Sequence, residues 1–344
     1  MKKYNWGIIG TGSIAHVFAK AVISSEFGKL YAIASRNISS AQSFAKEFDI
    51  PFYFGDYEQL LNDSNIDIVY IAIPHPLHAE WSIKAANRGK HILCEKPMSM
   101  NYVEACKVIE SVRLNNVFFM EAYMYKFHPQ TQKLIHLIQS RVIGDIRLIN
   151  ATFSFHAEPS EEELLNQQIR GGGGILDVGG YPMSFVRLIA GVVNGKKFEN
   201  PIELTGYSHI GSTSKVDEWS IANLKFSNGL LAQISAGTSL FQENVVRIYG
   251  SEGDIFIPSP WVPGGREPGI TKIIVRKRNH NNIEIIEVKN TIPLYSLEAD
   301  EVAKNIDKLE SPLMTLNDSL GNMESLDRWR KSIGLSYLVE NNQS

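Results

Sequence analysis

The feature that most constrains the fold is a glycine-rich segment, Gly10-Thr11-Gly12-Ser13-Ile14-Ala15, which directly follows the first apolar run of the chain, Trp6–Ile9. Such a segment between a strand and a helix is typical of dinucleotide-binding βαβ units. Gly10 permits the tight turn, Gly12 lets a pyrophosphate approach the backbone, and small Ala15 lets helix and strand pack closely. Free N–H groups and the helix dipole then face the phosphates. This placement favours a nucleotide site over the alternative, a structural strand-to-helix turn.

The first half of the chain alternates short apolar runs with amphipathic stretches, which predicts successive βαβ units. The predicted strands are Trp6–Ile9, Leu30–Ala34, Pro51–Phe54, Ile68–Ile73, His91–Cys94 and Val117–Met120. The predicted helices lie at roughly 13–25, 39–48, 56–63, 78–88 and 101–115. This part of the chain is therefore expected to form an α/β Rossmann domain with a doubly wound parallel sheet.

After Met120 the pattern changes to alternating, strand-like runs, which predict a C-terminal α+β domain with a large, open, mostly antiparallel sheet. Its strands are predicted at Ile146–Phe155, Ile202–Ser208, Ser220–Phe226, Leu230–Ala236, Val245–Tyr249, Asp254–Ile257, Ile273–Lys277 and Ile283–Val288. Its helices are predicted at Gln130–Gln139, Ile175–Ala190, Leu297–Leu309 and Leu316–Ile333. The basic run Arg276-Lys277-Arg278 is interpreted as part of a hairpin that turns at Asn279 to Asn282, rather than as a nucleic-acid patch.

A length of 344 residues exceeds what one hydrophobic core usually fills. We therefore expect a nucleotide-binding domain at 1–122 and a domain for substrate binding and subunit pairing at 123–344, with the last helices able to pack back on the first domain. The net charge of -3 gives no excess positive field to attract nucleic acid or an anionic membrane. No apolar run approaches the about 20 residues that a membrane helix needs.

The cysteine content predicts a reducing compartment. Cys94 and Cys106 are the only cysteines, and both lie in apolar stretches, which suits reduced thiols better than a disulfide. The chain also begins with an apolar strand and shows no signal-peptide pattern. A cytoplasmic location is the expectation.

The end of the second predicted strand indicates which dinucleotide binds. An NAD site usually carries Asp or Glu there to hold the ribose 2′-hydroxyl, whereas this chain has Ser35, Arg36 and Asn37. The fork of Arg36 suits a 2′-phosphate, and Ser35 adds a hydroxyl donor. We therefore predict NADP(H), with NAD as the alternative, while Arg36 as an ordinary surface arginine is the plainer interpretation.

Two motifs follow the fourth and fifth predicted strands, at the carboxyl edge of the sheet where ligands bind in such folds. Lys96, within Glu95-Lys96-Pro97, faces the nicotinamide side and is suited to move the proton that accompanies hydride transfer. Whether the Lys96–Pro97 bond is cis or trans cannot be decided from sequence. The other motif supplies four further expected cofactor contacts, which are Ile73, Pro74, His75 and His78.

The segment Gly171 to Tyr181 is the second catalytic candidate. In a helix, Asp177 and Tyr181 would share one face, being four residues apart. Glycines ahead of a helix lower its stability, so their presence indicates close approach of a ligand to the backbone. The alternative is a flexible linker before a core helix, with Tyr181 packed as an ordinary aromatic residue.

Weaker candidates lie near the expected substrate position. They are His128, His156 and Arg170, any of which could be an ordinary surface residue, with Tyr295 as a minor addition beside Glu298. The two histidines after the fourth strand have no third ligand at recognisable spacing, and neither an HExxH nor a paired CxxC motif occurs. No metal site is therefore expected.

Taken together, these motifs resemble the Gfo/Idh/MocA oxidoreductases over essentially the whole chain. The resemblance rests on Gly10 to Ala15, on Glu95-Lys96-Pro97 and on Asp177-x-x-x-Tyr181, and it implies that Lys96, Asp177 and Tyr181 line the catalytic site. Tyr181 departs from the inositol dehydrogenases, which have histidine there. With Met120–Tyr123 and Phe127–Pro129, it is more similar to the branch of trans-dihydrodiol dehydrogenases, D-xylose dehydrogenases and glucose-fructose oxidoreductase, which commonly use NADP(H).

The expected function is hydride transfer between the nicotinamide of NADP(H) and a CH–OH or C=O group of a sugar, polyol or trans-dihydrodiol. Tyr181 or Lys96 would exchange the proton, and Asp177 would orient the pair. The alternatives are a reductase of nucleotide-linked keto-sugars and a non-catalytic NADP-binding regulator. The resemblance and the open sheet also predict a homodimer, or a dimer of dimers, through that sheet.

Overall fold

The computed structural model describes residues 3–278 and 283–341. Its first part is a six-stranded parallel sheet in the order β3-β2-β1-β4-β5-β6. The strands are β1 (Tyr4–Ile9), β2 (Gly28–Ala34), β3 (Phe52–Phe54), β4 (Ile68–Ile71), β5 (His91–Glu95) and β6 (Phe119–Ala122). The helices between them are α1 (Ser13–Ser24), α2 (Ile38–Glu47), α3 (Tyr57–Asn62), α4 (His78–Asn87) and α5 (Tyr102–Leu114). The predicted Rossmann sheet is confirmed.

The second part is built on an eight-stranded sheet in the order β14-β13-β12-β11-β7-β10-β9-β8. The strands are β7 (Ile146–Ser154), β8 (Glu203–Ile210), β9 (Asp217–Lys225), β10 (Leu231–Gly237), β11 (Val246–Gly250), β12 (Gly253–Ile257), β13 (Gly269–Lys277) and β14 (Ile283–Asn290). Among the described residues of this sheet, β7 and β10 are the one parallel pair, and the other neighbouring strands are antiparallel. The predicted open, mostly antiparallel sheet is confirmed, although the expected turn at 279–282 lies outside the described residues.

The remaining helices cover one face of the second sheet and return to the first. They are α6 (Pro129–Gln139), α7 (Glu161–Leu165), α8 (Gln167–Arg170), α9 (Gly180–Val193), α10 (Leu294–Asn305), α11 (Leu316–Ser332) and α12 (Leu338–Asn341). The two long C-terminal helices pack against the Rossmann domain, where Ser296 Oγ donates to Ala21 O at 2.8 Å and Asp327 Oδ2 accepts from Tyr102 N at 2.7 Å. The last helices thus connect the two sheets.

Two helical details differ from the sequence prediction. The helix expected over Ile175–Ala190 begins as a π-helix, Ile175–Gly179, and only then continues as α9. The short helix α7 was missed, although its capping box joins Ser160 and Glu163, and α8 was missed although it ends at Gly171 in the left-handed conformation. These two helices and the four-residue α12, which was also not predicted, are too short for periodicity to reveal, so only end signals could have found them.

Burial distinguishes the core helix of the second domain from a membrane segment. Among the described residues, the stretch Gln167–Val193 is long and apolar enough to cross a membrane by length and composition. However, 83% of its apolar window is buried inside the fold. Its apolar surface therefore packs against protein, as in the core helix of a globular domain.

A buried ion network joins α9, α11 and the segment before α6. The guanidinium of Arg187 donates to Asp318 Oδ1 at 2.8 Å, and Lys126 Nζ also contacts the Asp318 carboxylate. All three side chains are at most 5% exposed. Burial opposes ionisation of Asp318, but the two cations outweigh it and hold the pKa of Asp318 below its usual range.

Candidate active site

The glycine-rich turn after β1 has the geometry that a pyrophosphate requires. Gly10 has a φ of +106°, and an added Cβ would lie 2.1 Å from Ala72 O, so only glycine fits there. An added Cβ at Gly12, by contrast, meets nothing within 4 Å, and Gly12 caps the 12-residue helix α1 without a side-chain hydrogen bond. The space beside the start of α1 is therefore open, which fits a dinucleotide phosphate.

The residues after β2 lie beside this turn, because Gly10 N donates to Ala34 O at 2.9 Å. Ser35 is buried and Arg36 is exposed. Asn37 caps α2, since its side chain accepts from Ser39 N at 2.9 Å and from Ser40 N at 3.3 Å. The side chain of Asn37 is thus engaged with its own helix, while the exposed Arg36 acts on the hydroxyl of Tyr57.

His75 and His78 follow β4 and connect neighbouring loops. His75 Nδ1 lies 3.2 Å from Gly171 O, so it joins the Rossmann edge to the second domain. The ring nitrogens of His78 lie 2.6 Å from Pro97 O and 2.7 Å from Ile73 O, and the side chain is completely buried. Burial lowers the pKa of His78 to about 4, so the neutral ring donates only one of these bonds. His78 therefore connects the segment after β4, at Ile73, to the segment after β5, at Pro97.

Lys96 and Asp177 meet directly, although 81 residues separate them. Lys96 Nζ donates to the backbone carbonyl oxygen of Asp177 at 2.6 Å and lies 3.4 Å from Asp177 Oδ1. The Lys96 side chain is 16% exposed and that of Asp177 is 35% exposed, so solvent reaches both. The Lys96–Pro97 bond is cis, which answers the question left open by the sequence. Glu121 Oε1 accepts from Met98 N at 3.0 Å, which holds the backbone directly after the Lys96–Pro97 bond.

Tyr181 lies beneath this contact, with its ring centroid 5.5 Å from Lys96 Nζ. Its hydroxyl lies 3.3 Å from Met124 Sδ. Burial raises the pKa of Tyr181 well above its ordinary value, and nearby tyrosine and glutamate side chains raise it further. Tyr181 is therefore a neutral phenol near pH 7, able to donate a hydrogen bond but poorly suited to act as a base.

Aromatic side chains surround Tyr181, a feature that the sequence interpretation missed. The rings of Tyr123 and Phe153 lie 5.1 Å from it, and that of Trp261 lies 6.0 Å away. Trp261 is fixed by its indole N–H, which donates to Thr152 O at 2.8 Å. These residues come from three separate segments, so only the tertiary fold brings them together.

Buried carboxyl groups form the inner side of the site. Glu95 is 8% exposed, and its Oε1 accepts from Tyr70 Oη at 2.5 Å. Glu298 is completely buried, and neither of its carboxyl oxygens has a hydrogen-bond partner within the described part of the chain. Burial, followed by the neighbouring Glu95, raises the pKa of Glu298 well above its ordinary value. Burial thus favours the neutral form of Glu298, a residue that the sequence analysis named only as a neighbour of Tyr295.

The weaker substrate candidates are scattered. His128 is completely buried and caps α6, since its Nδ1 accepts from Gln130 N at 3.0 Å. His156 is exposed and pairs with Ser239 in an isolated bridge, while Arg170 is exposed at the end of α8. No cluster of three or more potential metal ligands occurs among residues 3–278 and 283–341. Of these three candidates, only Arg170 adjoins the glycine-rich turn Gly171–Gly174.

A Rossmann sheet that carries Lys96 at its carboxyl edge, in contact with Asp177 and Tyr181 of a second, open-sheet part, defines a class of two-domain, dinucleotide-dependent oxidoreductases. Comparison with known proteins agrees. Residues 4–123 match the oxidoreductase family model with the NAD-binding Rossmann fold, and residues 131–256 match the GFO/IDH/MocA C-terminal domain. The chain belongs to the Gfo/Idh/MocA family, as the sequence resemblance predicted.

Individual relatives specify the branch. Trans-1,2-dihydrobenzene-1,2-diol dehydrogenase of Xenopus tropicalis is 32% identical over 96% of this chain and 98% of that protein. D-xylose 1-dehydrogenase (NADP(+)) 2 of Haloferax volcanii is 37% identical over 54% of this chain and 57% of that protein. The structure of KijD10, a 3-ketoreductase from Actinomadura kijaniata in complex with NADP and TDP-benzene, has a TM-score of 0.85 and 25% identity, covering 96% and 98% of the two chains. The predicted branch is confirmed, and the chain is an oxidoreductase that uses a nicotinamide dinucleotide.

Proposed function

We propose that this chain transfers hydride between NADP(H) and a CH–OH or C=O group of a small diol or sugar. The observation that carries the proposal is the contact of Lys96 Nζ with Asp177 at the carboxyl edge of the Rossmann sheet, above the ring of Tyr181. A sensor or regulator would not require a lysine held in this way beside a buried phenol. The proton that accompanies hydride transfer does require such groups.

The residues of the cleft suit NADP(H) in particular. The open turn over Gly12 and the uncapped α1 would hold the pyrophosphate, and Ser35 and Arg36 would hold a 2′-phosphate. When bound, the nicotinamide supplies or accepts the hydride. NADP appears in the names of the xylose dehydrogenase and of the KijD10 complex, which supports the choice of NADP over NAD.

Lys96 and Tyr181 are assigned to the substrate oxygen. A lysine ammonium has three N–H donors, and the backbone oxygen and carboxylate of Asp177 engage at most two of them. The third is free to reach a carbonyl oxygen and to give it a proton as the carbon takes hydride, and oxidation of an alcohol runs in reverse. Tyr181, kept neutral by its raised pKa, donates a hydrogen bond to the same oxygen. Asp177 orients the ammonium.

The aromatic surroundings of Tyr181 favour a compact substrate. Tyr123 and Trp261 are buried in the core, while the partly buried Phe153 provides a flat apolar face, which suits a cyclic diol or a free sugar ring better than a nucleotide-linked sugar. The Xenopus relative is named for trans-1,2-dihydrobenzene-1,2-diol, a substrate of this kind. We therefore place trans-dihydrodiols first, pentoses second and nucleotide-linked keto-sugars third.

The proposal is tested by following NADPH absorbance with purified protein and one substrate of each kind. Wild-type protein is expected to turn over a dihydrodiol or a pentose, and Lys96→Met is expected to lose about 10²- to 10⁴-fold in kcat while still binding NADPH. Lys107→Met, an exposed lysine of the same domain, is the matched control and should behave as wild type. NADPH binding without turnover of any panel member would favour the regulator, and absence of binding would overturn the proposal altogether.

We also propose a homodimer through the exposed face of the second sheet. Tyr207, Trp219, Ile221, Leu231 and Leu148 are exposed apolar residues on adjacent strands of one face. These residues form a contiguous apolar patch rather than scattered single positions, and such a patch suits a self-complementary interface. We further propose that the two domains divide at 122/123. We also propose a cytoplasmic location, which the free thiols of Cys94 and Cys106 support.

A further inference from the structure

A buried carboxylate outside the reaction cleft holds the start of the π-helix. Asp217, the first residue of β9, is 0% exposed, and its Oδ2 accepts from Ile175 N at 2.7 Å. Ser220 Oγ lies 3.0 Å from the same oxygen. Ile175 opens the π-helix and precedes Asp177 by two residues. The amide that Asp217 holds is therefore only one short segment from the group that contacts Lys96.

The backbone around Asp217 is built to let this carboxylate approach. Gly173 has a φ of +103°, and an added Cβ there would lie 2.3 Å from Asp217 Oδ1. This oxygen has no hydrogen-bond partner among the described residues. A side chain at position 173 would therefore displace the carboxylate, which gives the glycine-rich turn a structural reason that is independent of any ligand.

Charged and titratable groups of the C-terminal segment face the same point. Arg330 of α11 acts on Asp217 electrostatically, and Tyr337 faces Asp217, Arg330, Glu340 and Asp177. Tyr337 Oη donates to the carbonyl oxygen of the glycine-rich turn, at Gly172, over 2.6 Å. Arg330 in turn pairs with Glu340 at 2.9 Å. The turn is thus held from two sides.

We propose that Asp217 is a positioning residue for the reaction, since the amide it holds fixes where the π-helix presents Asp177 to Lys96. The inference rests on the proposed function of Lys96 and Asp177. Both acceptors of Lys96 Nζ, the backbone oxygen and Oδ1, belong to Asp177, so any shift of the π-helix moves them together. Loss of the Asp217 contact therefore misplaces the ammonium as well as the carboxylate.

The charge of Asp217 strengthens the hold. Burial raises the pKa of Asp217 to about 7, although the Ile175 amide and the Ser220 hydroxyl lower it. A carboxylate accepts hydrogen bonds about twice as strong as a neutral acceptor does. The hold on the π-helix therefore strengthens as pH rises through about 7, and kcat should carry an ionisation in that range.

The experiment compares Asp217→Ala and Asp217→Asn with wild type. Asp217→Ala is expected to lose about 10- to 100-fold in kcat, with KM for NADPH unchanged, because a small misplacement of a catalytic group has an effect of this size. Asp217→Asn keeps an acceptor without the charge, so it should recover part of kcat and lose the ionisation near pH 7. The matched control is Glu199→Gln, which should match wild type. Glu199 is a buried carboxylate in the loop after α9, and it accepts from Ser227 N in the turn between β9 and β10.

A second readout does not depend on turnover. Hydrogen exchange followed by mass spectrometry is expected to show faster exchange of the 173–179 amides in Asp217→Ala, at full NADPH binding. Where Asp217→Ala fails to fold, Ser220→Ala is used instead, because it removes only one hydrogen bond to the Asp217 carboxylate. It is expected to show the same effects at smaller size. Wild-type kcat and wild-type exchange in the folded Asp217 variants would overturn the inference. Altered exchange in a protein whose wild type turns over no substrate would instead reject the proposed function alone.

Discussion

Replacing Arg36 with alanine is expected to weaken NADPH binding far more than NADH binding. Arg36 is exposed after β2, beside the glycine-rich turn, and its charge acts on the Tyr57 hydroxyl, partly offsetting the effect of burial in raising the pKa of Tyr57. A hydrogen bond to a charged group contributes about 1.5–3 kcal/mol, which corresponds to about 10- to 150-fold in Kd. Because solvent reaches Arg36, the lower half of this range is expected.

The assay is a titration of tryptophan fluorescence with each dinucleotide, for which the chain supplies 5 tryptophans. NADH lacks the 2′-phosphate, so its Kd should change by no more than about twofold. Arg113→Ala removes one exposed arginine from α5 of the same domain and controls for net charge. The reasoning would be refuted by equal weakening for both dinucleotides, or by a wild type that prefers NADH.

The converse change sharpens the test. Arg36→Asp places a carboxylate where NAD sites usually carry one. It is expected to reverse the preference, since the new carboxylate repels a 2′-phosphate and accepts from a ribose 2′-hydroxyl. A variant that loses NADPH binding without any gain for NADH would show that Arg36 acts by charge alone.

Three further predictions concern stability and assembly. Lys126→Met leaves Asp318 with one cation fewer in a buried site, so chemical denaturation should show a loss of about 3–5 kcal/mol. The raised pKa of Asp217 stabilises the fold below the ordinary Asp pKa of 3.8, and this contribution is lost as pH rises to about 7. The advantage of wild type over Asp217→Asn in free energy of unfolding should accordingly fall by up to about 1.4 kcal/mol per pH unit over that range, and a flat difference would contradict it. Trp219→Glu should shift light-scattering mass to the monomer, whereas Leu114→Glu, exposed on α5, should not.

The secondary structure of both sheets could be predicted because burial imposes a period on the sequence. Strand β9 alternates buried Ala222 and Leu224 with exposed Ile221 and Asn223, so its register is legible without a structure. The π-helix was not predictable in the same way. Its residues Ile175–Gly179 have the composition of the helix that follows, and the widened turn arises from tertiary contacts such as the one with Asp217.

The polar residues of the site were predictable where a motif lies at a strand end. Lys96 follows β5 directly, and the edge of a parallel sheet is where such groups collect. The roles of Lys96, Asp177 and Tyr181 stay predictions until activity is measured. The aromatic wall was not predictable, because Phe153 and Trp261 carry no motif and meet Tyr181 only through the pairing of the second sheet.

The proton-transfer contact and the aromatic residues around Tyr181 are held by partly shared segments of the chain. The contact between Lys96 and Asp177 is fixed from within, since Glu121 holds Met98 and Asp217 holds the start of the π-helix, and both carboxyl side chains are buried. Of the aromatic residues around Tyr181, Phe153 and Trp261 come from segments that take no part in that contact, whereas Tyr123 N donates to Glu121 O at 3.0 Å. Substitutions at Phe153 are therefore expected to reshape the substrate side of Tyr181 with less effect on the proton-transfer geometry than substitutions at Tyr123, because residues without shared partners behave more nearly independently.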